Sequence, residues 1–308
     1  MFREDFVWGV ASSAYQVEGT DAADGRGACV WDMFAADGRV FEHQNADTSC
    51  DHMHHYKEDI ALMRHLGIRA YRFSLNWARI LPEGTGRVNE KAIAMYRDMI
   101  LTMKENGITP YLTLFHWEFP QALYERGGWQ NPDVVQWFGE YAKVVAENFS
   151  DICEYFITIN EPQCVVGLGH LSGVHAPGVK LPVAQTFLVA HHLLMAHGQA
   201  VINLRRYALR PVKIGFAPTG GVAYPYTDRP EDIEAAKKVY FGFYNPIDNW
   251  TWNVSWFSDP VFLGHYPEEG LKKFAPYLPK ITQEDMELIY QPLDFMGQNI
   301  YNGYYVCA

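Results

Sequence analysis

Tyr155-Phe156-Ile157-Thr158-Ile159-Asn160-Glu161-Pro162 is the stretch on which the reading of this 308-residue chain turns. Its first five residues are aromatic or β-branched, the composition of a short buried strand. Asn160 and Glu161 then place an amide and a carboxyl group at the strand's C-terminal end, and Pro162 opens a turn behind them. In a parallel α/β barrel that end of each strand is where the chemistry sits. Burial between an apolar strand and a proline is the setting that tunes a carboxyl group for general acid/base work, so Glu161 is the candidate catalytic residue. The plain alternative is that Glu161 is one of 36 acidic residues, lying on an ordinary surface turn. Matching groups at the ends of other strands would decide between the two.

Working outward, short apolar runs alternate with segments of helical period. Strands are predicted over 6–12, 70–75, 109–115, 155–159, 212–216 and 295–300. Helices are predicted over 56–65, 90–106, 183–207, 231–243 and 283–289, with another begun by Asn131-Pro132-Asp133. Asn89 is placed to cap the helix at 90–106, while Gly67 and Gly107 stop the helices before them. A Gly/Asp-rich loop fills the interval to Asp51. Such alternation argues for a parallel sheet with crossover helices, here in one domain over 1–308. Polar residues gather where strands end: Gln16 and Glu18, the run 72–76, His116-Trp117, Asn160-Glu161, Asn299 and Tyr301. That clustering favours a barrel with its site at the C-terminal rim.

Seven segments in order, FVWGVASSAYQVEG, YRFSLNWARILP, LTLFHWEFPQAL, GGWQNPDVVQWFGEYA, FITINEP, GHLSGVHAPG and DFMGQNIYNGYY, span nearly the whole chain. By them it resembles glycoside hydrolase family 1, the β-glucosidase family. The resemblance implies a TIM-type (β/α)8 barrel and cleavage with retention. It implies Glu161 as acid/base, Asn160 on the sugar 2-hydroxyl, and Gln16 and His116 on other hydroxyls. Trp117 matches an aromatic of the same pocket, Asn299 and Tyr301 match residues flanking the nucleophile, and Arg72 matches the arginine that pairs with it. The family's nucleophile lies on strand seven in a Thr-Glu-Asn-Gly-like motif that does not occur in these 308 residues. The expectation is therefore an incomplete barrel of about six βα units with strands 7 and 8 missing. Its open edges call for a homo-oligomer or a complementing fragment.

A retaining mechanism needs a second carboxylate ~5 Å from the first. Glu18, Glu118 and Asp51 are the acids near the rim; none stands at the nucleophile's place, and Glu118 is expected to point outward. The expected activity is hydrolysis of terminal β-glucosyl residues from a β-glucoside or short β-linked oligosaccharide. Trp117 after His116 leans toward unphosphorylated sugars. A non-catalytic sugar-binding or interaction protein, or one fragment of a split enzyme, is the alternative.

Net charge is −11 and no Lys/Arg block occurs, which argues against nucleic-acid and acidic-membrane partners. Five cysteines, an odd count without C-x-x-C, fit reduced thiols in the cytoplasm. The N-terminus lacks the pattern of a signal peptide, and nothing approaches the ~20 apolar residues of a membrane span. Aromatic residues make up 15% of the chain, enough for both a core and a sugar-stacking surface. The histidine groups His52, His54, His55 and His191, His192, His197 are read as solvated or packed, so no metal or cofactor is expected.

Overall fold

In a computed structural model, which describes residues 2–20 and 24–308, the strands run in chain order. They are β1 Gly9–Ala11, β2 Ala70–Ser74, β3 Thr109–Phe115, β4 Tyr155–Asn160, β5 Lys213–Ala217, β6 Val222–Pro225, β7 Phe295–Met296 and β8 Gly303–Val306. Six of them form one sheet in the order β1-β2-β3-β4-β5-β7, every neighbouring pair parallel. This is part of a TIM-type barrel, with β1 and β7 as its two edges. Strands β6 and β8 make a separate parallel pair beyond the ends of β5 and β7. Residues 21–23 of the expected Gly/Asp-rich loop, and Met1 of the N-terminal segment, lie outside the described residues.

Between strands run the crossover helices. Those over Glu90–Glu105, Val134–Phe149 and Val183–Tyr207 bury apolar faces against the sheet. Asn89 caps the first, its side chain accepting from the Ala92 N–H. The long Val183–Tyr207 helix passes the backbone near Leu288 so closely that a Cβ on Gly198 would sit 1.8 Å from a carbonyl oxygen. One core cluster joins these elements from Val30 to Ile289, with Trp77 stacked on Tyr141 at 5.0 Å in its middle.

The central strands match their expected positions; the edges do not. The strand expected at 295–300 is regular only over Phe295–Met296. Beyond it the chain stays beside β5 through single contacts, including a bridge between Thr219 and Asn299. The strand expected at 6–12 shrinks to three residues, leaving Phe6, Val7 and Trp8 exposed. The helix expected at 56–65 starts earlier, at His52. Asn131 caps only a turn, accepting from the Asp133 N–H at 2.9 Å, and the helix proper begins at Val134. Helices Val30–Ala36, Val254–Phe262 and Glu268–Phe274, and the β6–β8 pair, had no sequence expectation. In the Trp-rich stretch, Trp250 and Trp256 belong to the core, Trp250 lying 3.8 Å from Phe187.

Candidate active site

Glu161 follows the last residue of β4 in a left-handed conformation, φ 45° and ψ 66°. A non-glycine residue held there is strained, and such strain gathers at functional sites. Its N–H donates to the Ala217 carbonyl at 2.7 Å, tying it to β5. The β4–β5 register shifts between Ile157 and Asn160. Regular alternation would send Asn160 and Glu161 to opposite faces. The irregularity and the left-handed turn instead bring both to one partner, Asn299. Its Nδ2 donates to Asn160 Oδ1 at 2.9 Å and to Glu161 Oε1 at 2.6 Å.

Two further donors hold the carboxylate, which is 4% exposed. The Tyr301 hydroxyl donates to Oε1 at 3.0 Å and the Cys164 thiol to Oε2 at 3.2 Å. Asn160 is fully buried and acts as a hub. Its Oδ1 also accepts from Arg72 Nη2, its Nδ2 donates to His116 Nε2 at 3.1 Å, and its carbonyl accepts from the Trp117 indole at 3.0 Å. Trp117, too, has a positive φ, of 83°.

Arg72 lies under this network. Its guanidinium donates to Thr113 Oγ1 at 3.0 Å and Asn299 Oδ1 at 3.1 Å besides Asn160. All three acceptors are neutral, and among the described residues no carboxylate forms an ion pair with Arg72. Burial pulls the guanidinium below its ordinary value, while Glu161 and Tyr301 act in the other direction. His116 is pushed down to about 3, by burial first and Arg72 second. It is therefore a neutral ring, able to accept from the Asn160 amide through Nε2.

The exposed Gln16 reaches the site from a different side. With Tyr15, Trp31, His116, Trp117 and His175 it lines a cleft of ≈390 Å³. His175 stands 5.4 Å from the ring of Trp31 and 5.5 Å from that of Trp117, making an aromatic wall. Thus Gln16, His116 and Trp117 share a cleft, while Arg72, Asn160, Glu161, Asn299 and Tyr301 share a hydrogen-bond network. His116 and Trp117 belong to both.

The sheet order agrees with a comparison with known proteins. A sequence model of glycosyl hydrolase family 1 matches residues 1–307. The chain belongs to that family. The 1,4-beta-D-glucan glucohydrolase of Thermotoga neapolitana is 42% identical over 306 residues, 99% of this chain and 69% of the relative. Beta-glucosidase A of Thermotoga maritima is also 42% identical, over 99% of this chain and 66% of the relative. The solved structure of a beta-glucosidase from Thermotoga maritima in complex with glucoimidazole superposes with a TM-score of 0.88, covering 99% of this chain and 67% of that one. The chain thus spans about two thirds of the length of these relatives.

Within this family 1 chain, the other acids of the rim are accounted for. Glu118 does not point outward as expected. It is buried, its Oε1 accepts from the Tyr15 N–H at 2.8 Å, and burial pushes its carboxyl up to about 8. The Tyr15 N–H holds it inward, a contact between distant segments that a reading of HWEFP as a surface loop misses. Glu18 forms a buried pair with Arg79 at 3.2 Å and accepts from the Tyr96 hydroxyl at 2.8 Å. Asp51 sits at the surface with His54 at 2.6 Å. None adjoins Glu161.

His52 also departs from a solvated reading, being buried against Asp59 at 2.6 Å. His191, His192 and His197 are packed, bonding Tyr266, the Trp129 carbonyl and Thr158. Among the described residues no three His, Cys, Asp or Glu side chains cluster as metal ligands. Sequence reasoning missed His175, Cys164 and Thr219. The first two lie in or beside quoted segments, but nothing in their spacing marks them. Thr219 accepts no role from sequence at all, yet its hydroxyl donates to the Asn299 carbonyl at 3.2 Å.

Proposed function

We propose that this chain carries the acid/base half of a retaining β-glucosidase site. In this reading Glu161 is the general acid/base for hydrolysis of terminal β-glucosyl residues, and Asn160, Gln16 and His116 hold sugar hydroxyls. Trp117 forms a wall of the sugar pocket, and Asn299 and Tyr301 position the reacting carboxyl groups. The substrate is a β-glucoside or short β-linked oligosaccharide, in line with the glucosidase and glucan-hydrolase names of its relatives and the glucoimidazole bound by one of them. The second carboxylate comes from outside these 308 residues.

One observation carries this reading. A guanidinium drawn partly out of water is costly unless an anion meets it. Arg72 instead has three neutral acceptors, beside the two residues that flank the expected nucleophile. A carboxylate placed against Arg72 would satisfy the cation and stand near Glu161, as a retaining pair requires. Strands β1 and β7, each paired on one side only, are the edges along which such a carboxylate-bearing segment, or a second copy of the chain, would join. We take the 308 residues as one domain on the strength of the single core cluster. We take the cytoplasm as its compartment because its five cysteines are all free; no helix among the described residues is long and apolar enough to cross a membrane.

A second reading, sugar binding without turnover, also has an observation in its favour: three donors already engage both oxygens of Glu161. Aryl β-glucoside hydrolysis by the chain and by Glu161→Gln, each supplied with formate in place of the second carboxylate, separates the two. Turnover that disappears in the variant supports the enzyme; equal rates in both, with glucoimidazole still bound, support the binding protein.

A further inference from the structure

Beyond the ends of β5 and β7 lies a second cleft, of ≈330 Å³, that the reaction described above does not use. The residues leading into the β6–β8 pair, with Tyr304 of β8, form one wall, and the end of helix Pro230–Phe241 with the segment after it forms the other. Its lining is aromatic and amide-rich, like that of the cleft at Gln16. Four aromatic side chains, among them Tyr244, Trp252 and Tyr304, meet four amides, among them Asn245, Asn249 and Asn302. Among the described residues no charged side chain lines it, on a chain whose residues are 20% charged and whose net charge is −11. Trp252 is 40% exposed and Tyr304 50%, so both present ring surface to solvent. Tyr240, also in the lining, is fixed by a bond from Gln298 Nε2 to its hydroxyl at 2.7 Å.

We propose that this cleft binds a neutral pyranose unit of a β-linked oligosaccharide, as a site separate from the one at Glu161. Flat rings offer apolar faces to the axial C–H bonds of a sugar, and amides donate to and accept from its hydroxyls. A volume near the lower end for small-ligand pockets suits one or two sugar rings. The lack of cations argues against phosphorylated ligands and nucleic acid, which need Lys or Arg. Backbone continuity links the two sites. The segment from Asn299 to Tyr304 sends Asn299 and Tyr301 to Glu161, and Asn302 and Tyr304 to this cleft. On the same wall, Gly220 follows Thr219, which bonds Asn299. A β-linked chain entering the Glu161 site could therefore rest a distal unit here. The choice of glucosyl units as ligand rests on the function proposed above; the cleft and its uncharged lining do not.

Calorimetric titration of the full chain with cellotetraose and, separately, with glucoimidazole tests this. Trp252→Ala and Tyr244→Ala should each weaken cellotetraose binding about ten-fold, equivalent to ~1.4 kcal/mol. Both should leave glucoimidazole affinity unchanged. Tyr244 is exposed, so its variant guards against a folding defect in the tryptophan variant. Unchanged cellotetraose binding in both variants, with glucoimidazole still bound, would overturn the second site and spare the first. Loss of glucoimidazole binding in the wild type, with cellotetraose binding that still depends on Trp252, would do the reverse. No binding of either ligand would overturn both.

Discussion

Strands β4 and β7 deliver their residues to the same carboxyl group but are held very differently. Strand β4 spans six residues, pairs with β3 and β5, and is buried along nearly its whole length. Strand β7 spans two, pairs only with β5, and leaves Met296 half exposed. Glu161 and Asn160 are thus fixed from both sides, whereas Asn299 and Tyr301 reach them from an edge. Tyr301 is itself 80% exposed although its hydroxyl bonds Glu161. A site built this way has a firmly held half at β4 and a loosely held half at β7.

The sharpest way to break the contrast is to empty each strand of a side chain. Phe156→Ala in β4 should cost ~3–5 kcal/mol, as for a buried aromatic. Met296→Ala in β7 should stay within ~1 kcal/mol, since half of its side chain is already in water. Urea unfolding of both variants checks this, and equal losses would mean the edge is packed as well as the centre. Next in size is the site itself. Arg72→Met should weaken glucoimidazole binding at least ten-fold, ~1.4 kcal/mol or more, because Asn160 and Asn299 both lose their charged donor. Unaltered affinity would remove Arg72 from the account.

Titration sharpens the comparison further. Glu118 clamps the Tyr15 backbone beside the cleft, with its carboxyl pushed up to about 8 from an ordinary 4.5. Between those values the unfolded chain has lost this proton and the folded chain keeps it. The contribution is therefore full below pH 4.5 and is lost as pH rises toward 8. His116 and His197, pushed down to about 3, and His170, down to about 4, work in the opposite sense. They contribute above pH 6.5, and the contribution is lost as pH falls toward 4. Thermal midpoints of the wild type should drop on both sides, and Glu118→Gln should flatten only the alkaline fall. A parallel shift at every pH would show that Glu118 is ionised in the fold. The smallest effect is at the β1 edge, where Phe2, Phe6 and Trp8 form an exposed aromatic cluster with ring separations of 4.5 to 4.8 Å. Trp8→Ser should change stability by less than ~0.5 kcal/mol while lowering the mass seen by light scattering. An unchanged mass would count against association through that edge.

The same contrast explains what could be read from sequence. Strands buried on both faces write themselves as continuous apolar runs, and β2 to β5 were legible for that reason. So were the long helices, whose apolar period is sustained over four turns or more. Edge strands are short and half exposed, so 6–12 and 295–300 carried apolar residues without carrying regular structure. Among site residues, Glu161, Asn160 and Arg72 stood out because strand ends and family segments marked them. Cys164, His175 and Thr219 did not, since their contacts depend on how loops fold over the rim. Glu118 was misplaced because nothing local shows that a loop is covered from above. The cleft at β6–β8 joins segments some eighty residues apart and has no local signature.

The central claim is that Glu161 is a working acid beside a cation that lacks its anion. The direct test is aryl β-glucoside turnover by the chain with and without formate in solution, beside Glu161→Gln. Formate seated against Arg72 would attack the anomeric carbon, forming a glucosyl formate as the aryl alcohol leaves with a proton from Glu161. Turnover that rises with formate in the wild type and stays flat in Glu161→Gln is the predicted result. Rates indifferent to formate, or equal in both proteins, would contradict it.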